Sequence, residues 1–353
     1  MLIKLCFENW RRLGLVKRLL FSLVLLLSVI LATACSSEET KTSLGKNGKE
    51  KVIIAEGNTG FLLTPIYVAK EQGFFEEEGL EVEEVSVSGG SKALSAVIGG
   101  GAQIGTVALV DIMKAIDSGQ NVKVFGTLFN QVGTNIVMNK DIASKNGINE
   151  NSSMADKIKA LKGLKVGISS PGSGSDHIIR MLLESEGINP DRDSELIPLG
   201  QGDAQLAAFQ KNEIDAFVYA SPTTDMATTL NGIILFNFSK GEVEEYAGLA
   251  YLTLVAKEDD LKKNKELYQK VANAMAKAGK FIETEREETR EILKKYVQGI
   301  DPEVFDIAFE NNYPAFAKSP VITEESFNKN IKFGGIDLPF DKVIDNEFAD
   351  KAK

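Results

Sequence analysis

Hydrophobic and polar positions divide the chain into four stretches. Residues 19–32 are an uncharged apolar run, and residues 36–50 are almost wholly small or polar, with Leu44 as their one large apolar side chain. From 51 to 256, short β-type runs alternate with segments whose apolar residues fall three and four apart; beyond 258 the spacing is helical throughout. Predicted strands cover 52–56, 80–87, 104–107, 122–128, 135–139, 165–169, 195–199, 216–219 and 251–256. Predicted helices include 65–71, 91–99, 110–118, 175–186 and 204–211. Such alternation predicts an α/β protein with open, mostly parallel sheets covered on both faces. In the last stretch Leu267, Val271, Met275, Ala278 and Ile282 share one helical face, and Ile292, Leu293, Tyr296 and Val297 continue the pattern. Asp301-Pro302 then reads as an N-cap with proline at the first helical position.

The apolar run is 14 residues long, short of the roughly 20 that a helix needs to span a bilayer. It follows Arg11, Arg12, Lys17 and Arg18 and ends at Leu31-Ala32-Thr33-Ala34-Cys35. A basic segment, an apolar core and small residues before one cysteine resemble a bacterial lipoprotein export signal, with Ala32 standing where the lipobox usually has Leu. The resemblance implies that residues 1–34 are removed and that the Cys35 sulfur carries lipid, palmitate-type acyl chains included. The alternative is an ordinary cleaved signal with an unmodified Cys35. Cleavage before Cys35 leaves 319 residues and takes away Cys6, the other of the two cysteines. With Cys35 lipidated, disulfides, thiolate metal ligands and cysteine nucleophiles are all excluded from the folded body.

Charge narrows the partners. The chain carries a formal net charge of −10, the segment before Cys35 carries +4, and its loss leaves −14. Such a surface disfavours nucleic acid and anionic headgroups. Residues 35–50 cannot build a core and are expected to be a flexible tether. The remaining length suits two domains.

Residues 64–82 read Thr-Pro-Ile-Tyr-Val-Ala-Lys-Glu-Gln-Gly-Phe-Phe-Glu-Glu-Glu-Gly-Leu-Glu-Val: a helix that stops at Gly73, an aromatic corner, and a turn at Gly79 feeding a strand. Gly89-Gly90-Ser91, Gly100-Gly101-Ala102-Gln103-Ile104-Gly105, Leu161-Lys162-Gly163-Leu164-Lys165-Val166-Gly167-Ile168 and Val218-Tyr219-Ala220 follow in order. Together these segments resemble solute-binding proteins of ABC importers in the nitrate, sulfonate and taurine class. The resemblance implies a two-lobed type II periplasmic-binding-protein fold, with two open, mostly parallel sheets joined by two hinge strands. Lobe one would be 51–130 plus 257–353 and lobe two 131–256, with 134–139 and 252–256 near the hinge.

Open α/β sheets bind ligands beyond the carboxyl ends of their strands, so the candidates lie in those turns. They are Asn58, Thr59, Gly60 and Phe61 after the first strand; Gly89, Gly90 and Ser91 after the second; then Thr106 and Asn130, with Gln131 beside it. In lobe two, Ser169-Ser170-Pro171-Gly172-Ser173-Gly174-Ser175-Asp176 places hydroxyls and free N–H groups at one helix start. From it Ser170, Ser173, Gly174 and Ser175 are the candidates. Simple capping by Ser173 or Ser175 is the alternative, and Asp176 pointing inward would oppose an anion. The segment lacks the Gly-Lys-Ser/Thr ending of a nucleotide-phosphate loop. Tyr219 would wall the cleft or pack at the hinge; Thr223 and Asp225 read as helix caps. The single histidine, His177, is expected at the surface or the cleft edge, without the orienting partner a catalytic base needs. No metal site and no cofactor are expected.

These features predict a monomeric, extracytoplasmic receptor, lipid-anchored at Cys35, that captures a small solute and hands it to an ABC permease. The solute would be an organic acid, a sulfonate or a heteroaromatic compound. Lys92 is the only cation in the candidate turns, which favours a neutral or aromatic solute over sulfate-like anions. An enzyme on the same fold and a ligand-sensing module for a membrane receptor are the alternatives.

Overall fold

The computed structural model describes residues 48–353, apart from Ser88, Glu150, Glu244 and Glu245. The export signal, Cys35 and nearly all of the expected tether lie outside the described residues. Ten strands are present among them: β1 Glu50–Glu56, β2 Leu80–Ser86, β3 Ile104–Ala108, β4 Val122–Phe129, β5 Thr134–Asn139, β6 Lys165–Ile168, β7 Glu195–Pro198, β8 Ala216–Ala220, β9 Gly232–Phe236 and β10 Leu252–Lys257. Glu50, placed in the tether by its polar surroundings, is the first residue of β1 and pairs with Leu80.

The strands form two five-stranded sheets, ordered β2-β1-β3-β10-β4 and β7-β6-β8-β5-β9. In the first, β1 runs parallel to β2 and β3, while β10 is antiparallel to β3 and β4. The second repeats the plan, with β6 parallel to β7 and β8, and β5 antiparallel to β8 and β9. Four strands of each sheet therefore share a direction and one opposes them. The opposing strands have a single cause: the chain crosses between sheets twice, from β4 to β5 and from β9 to β10, and each arriving strand inserts beside the edge strand. Because β10 pairs within the first sheet, the chain is back in that sheet by Leu252, earlier than the 257 expected from the sequence.

Strand β9 has no counterpart in the sequence pattern. Its five residues, Gly-Ile-Ile-Leu-Phe, lack period-2 alternation, and Asn231 in the left-handed region (φ 64°) turns the chain into it. By contrast β3, β5 and β8 are buried along their whole length, as strands covered on both faces must be.

Helices α1 (Thr64–Glu71), α2 (Gly90–Ile98), α3 (Leu109–Asp117), α4 (Gly174–Ser185), α5 (Gly202–Gln210), α6 (Lys265–Thr284), α7 (Pro302–Asn312) and α8 (Glu324–Gly334) carry most of the remaining core. Helix α6 buries Leu267, Val271, Met275, Ala278 and Ile282, the face its spacing predicts, and adds Tyr268 between Phe125 and Phe348. Each of these except Ala278 contributes about 1.5–3 kcal/mol by leaving water. Asp301 caps α7 by accepting from the Glu303 N–H at 2.9 Å. The C-terminal segment returns to the first sheet: Ile344 bridges Val124, and Phe316 bridges Phe129.

Candidate functional site

The carboxyl ends of β1, β3, β6 and β8 and the two crossings converge on one small cavity of about 20 Å³. That is room for about one water, because the two halves touch around it. Ser91 Oγ lies 2.8 Å from Ser170 Oγ, and the Gln201 side-chain amide donates to the Val87 carbonyl. Gly89 (φ 92°) comes so close to Ser170 that a Cβ there would sit 2.7 Å from its Oγ. Thr134 Oγ1 and Tyr251 Oη, one from each crossing, are 2.5 Å apart beneath the cavity.

Of the residues picked from the sequence, Asn58, Gly90, Ser173, Gly174, Ser175 and Tyr219 line this cavity. Gly89, Ser91 and Ser170 form the seam beside it. Thr59 lies beside the Tyr219 hydroxyl, which donates to Gln201 Oε1 at 2.7 Å. Gly60 (φ 71°) packs against the Ser221 carbonyl, where a Cβ would be only 2.7 Å away. Three candidates belong elsewhere. Phe61 is fully buried, its ring 5.5 Å from that of Phe305, because an aromatic side chain in this turn gains more from the core than from the cleft. Thr106 is fully buried and accepts the Gly57 N–H at 3.2 Å, fixing the first turn from behind. Asn130 accepts from Thr127 and donates its N–H to the Ala315 carbonyl, so it braces the crossing.

The serine-rich turn is largely occupied with itself. Ser173 Oγ donates to the Ser170 carbonyl at 2.7 Å, Ser175 Oγ accepts the Ser169 N–H at 2.9 Å, and Asp176 accepts the Gly172 N–H at 2.8 Å and Arg180 Nε at 2.7 Å. Capping thus consumes most of the polar groups that made the segment look like an anion cradle. Lys92 is exposed on α2.

Sequence reasoning missed Asp111 and the cavity-facing role of Tyr251. Asp111 sits in the first turn of α3, lines the cavity and is 5 % exposed. Neither carboxylate oxygen has a hydrogen-bond partner in good geometry. Burial pushes its pKa up to about 7; the Lys114 charge and the Gly174 N–H offset the rise in part, and Asp176 adds to it. The signal was present in the sequence as an acid between Val110 and Ile112, on a helix that otherwise buries its first turn. His177 is half-buried at the seam, with Nδ1 2.8 Å from Lys114 Nζ and Nε2 3.2 Å from the Phe333 carbonyl. Burial, with Lys114 next, lowers its pKa to about 4, so the ring is neutral: Nδ1 accepts from the ammonium and Nε2–H donates. No cluster of three or more His, Cys, Asp or Glu side chains suited to a metal occurs among the described residues. A second, wider depression of about 580 Å³ lies between β9 and α7, remote from the strand ends that converge on the first.

Two sheets with one opposing strand each, a double crossing and a cavity at the strand ends define the architecture. Residues 60–297 match the NMT1-like family. The chain belongs to that family. YtlA of Bacillus subtilis (strain 168), which carries a provisional binding-protein name, is 25% identical over 98% of both chains. A Bordetella bronchiseptica RB50 structure, also 25% identical, superposes with a TM-score of 0.75 over 85% of this chain and 96% of its own. The alkanesulfonate-binding protein SsuA from Xanthomonas axonopodis pv. citri, bound to MOPS, is 17% identical with a TM-score of 0.63, covering 83% and 96%. This NMT1-like chain therefore has the type II periplasmic-binding-protein fold of the nitrate, sulfonate and taurine class. The fold is shared with an enzyme, the desulfurization enzyme DSZB, at 13% identity and a TM-score of 0.59 over 86% and 98% of the two chains.

Proposed function

We propose that the protein is the solute-binding component of an ABC importer, held outside the cytoplasm by lipid on Cys35, which captures a small organic solute and delivers it to the permease as a monomer. The observation that carries this reading is the cavity itself, walled by the strand ends of both sheets and floored by the two crossings. A solute there contacts both lobes at once, so its binding free energy, about 8 kcal/mol for a micromolar dissociation constant, favours the closed arrangement. Membrane attachment rests on the segment around Cys35, and acyl chains contribute about 0.8 kcal/mol per buried methylene. Catalysis finds no support in the cavity: both ring nitrogens of the single histidine are engaged, so Ser173 and Ser175 have no imidazole base.

The test is a ligand screen on the purified protein, read by melting temperature and small-angle scattering. A solute that raises the melting temperature without being turned over, in a particle no larger than the free protein, is the expected result. Turnover of a bound compound, or no response to any organic acid, amine or heteroaromatic, would sink the reading.

A further inference from the structure

The walls of the cavity carry one charge. Among the described residues that line it, Asp111 is the only ionisable acid and none is lysine or arginine. The Gly174 N–H lies beside its two oxygens, but neither oxygen accepts a hydrogen bond in good geometry, while the charges around it are committed. On its own helix, Lys114 gives its ammonium to His177; on α4, Asp176 is held by Arg180 and the Gly172 N–H. The hydroxyls nearby are committed too, Tyr251 to Thr134 and Tyr219 to Gln201. A buried carboxylate left in this state costs stability, and such costs concentrate where a ligand relieves them.

The start of α4 is where backbone N–H groups could hold an anion. Here the neighbour of the Gly174 N–H is the Asp111 carboxylate, delivered from the opposite lobe. An incoming anion would meet that charge at close range in a small buried cavity, where like charges are poorly screened. A cation would instead gain both oxygens and the rings of Tyr219 and Tyr251, whose negative faces suit it.

We infer that the solute is a small organic cation whose N–H donors, as in a protonated amine, bind the two oxygens of Asp111, and that Asp111 selects against nitrate- and sulfonate-type anions. This rests on the capture reading above. It names a selectivity residue for the site and separates the chain from solved relatives named for anions.

The experiment compares two panels by calorimetry and melting temperature at pH 8, where Asp111 is ionised. The cationic probes are methylammonium, ethanolamine and 4-aminopyridinium; the anionic probes are nitrate, methanesulfonate and acetate. Expected is binding by at least one cationic probe and by no anionic one, with a loss of at least about tenfold in Asp111→Asn. That isosteric variant removes a buried charge, so its unliganded melting temperature should equal or exceed the wild type's and certify its folding. An anionic probe that binds overturns the inference while leaving capture intact, as does a cationic probe that Asp111→Asn binds as tightly as the wild type. Silence in both panels overturns the inference, while the capture reading falls only if the broad ligand screen described above is silent as well.

Discussion

Lys114 Nζ lies 2.8 Å from His177 Nδ1, joining α3 of the first lobe to α4 of the second, while Nε2 of the same ring reaches the Phe333 carbonyl on α8. A single imidazole therefore ties three helices across the seam. Replacing the ammonium with an apolar side chain, Lys114→Met, removes the charge that helps hold the histidine neutral. The His177 pKa should move up from about 4 toward its ordinary value, and stability should fall by about 1 kcal/mol. Because the chain has one histidine, a proton NMR titration reads this directly. An unchanged titration midpoint would mean that the two groups do not interact in solution.

Three buried carboxyls set the pH dependence of stability. Burial raises Glu56 to about 8, with Glu84 adding to the rise; Asp111 to about 7; and Asp225 to about 6. Each binds its proton more tightly folded than unfolded, so each favours folding at low pH and loses that contribution as pH rises through its folded pKa. His177, lowered to about 4, acts the other way below pH 6.5, and Lys318, lowered by burial to about 8, does so above pH 8; each spans only a small part of the range from 5.5 to 8.5. The charges that face Asp111 are Lys114, which lowers its pKa, and Asp176, which raises it, and burial outweighs both. The protein should melt higher at pH 5.5 than at pH 8.5, by on the order of 5 °C, and Asp111→Asn should shrink the difference. A melting temperature that climbs from pH 5.5 to 8.5 would refute the assignment.

Gly60 takes a left-handed φ of 71° and a Cβ there would stand 2.7 Å from both the Ser221 carbonyl and Pro222 Cδ. Backbone on the other side of the seam leaves no room for relaxation by a side-chain rotation. Gly60→Ala should push the lobes apart. Scattering should then show a larger radius of gyration without ligand, with stability reduced by at least about 1 kcal/mol. A radius equal to the wild type's would show that the turn adapts locally.

Much of this architecture was legible because burial on both faces writes continuous apolar runs, as in β3, β5 and β8, and because α6 repeats its core face over five turns. Strand β9 was not, since five residues without alternation carry no period. The site was legible as loops rather than as side chains. The turn rule found Asn58, Gly90 and Ser173–Ser175, which depend on strand ends alone. It could not tell that Phe61 turns inward, for an aromatic after a strand suits a cleft or a core equally. Asp111 was hidden for the opposite reason: its importance comes from α4, more than 60 residues away in sequence, which closes over it and buries it.

The two crossings are linked where Tyr251 Oη and Thr134 Oγ1 approach to 2.5 Å, both residues at most 5 % exposed. Burial pushes the Tyr251 pKa upward, with the Thr134 bond offsetting it and Asp111 adding to it, so the phenol stays protonated at any physiological pH. Tyr251→Phe keeps the ring in the cavity wall and strands the threonine hydroxyl in a dry site, a cost of about 1–3 kcal/mol. Thr134→Val removes the other partner at equal volume. The double variant leaves neither group unpaired, so it should be less destabilised than the sum of the singles, and a double-mutant cycle by denaturant unfolding should return a coupling of at least about 0.5 kcal/mol. Strict additivity would show that the crossings move independently, and the lobes would then lack this brace on their relative motion.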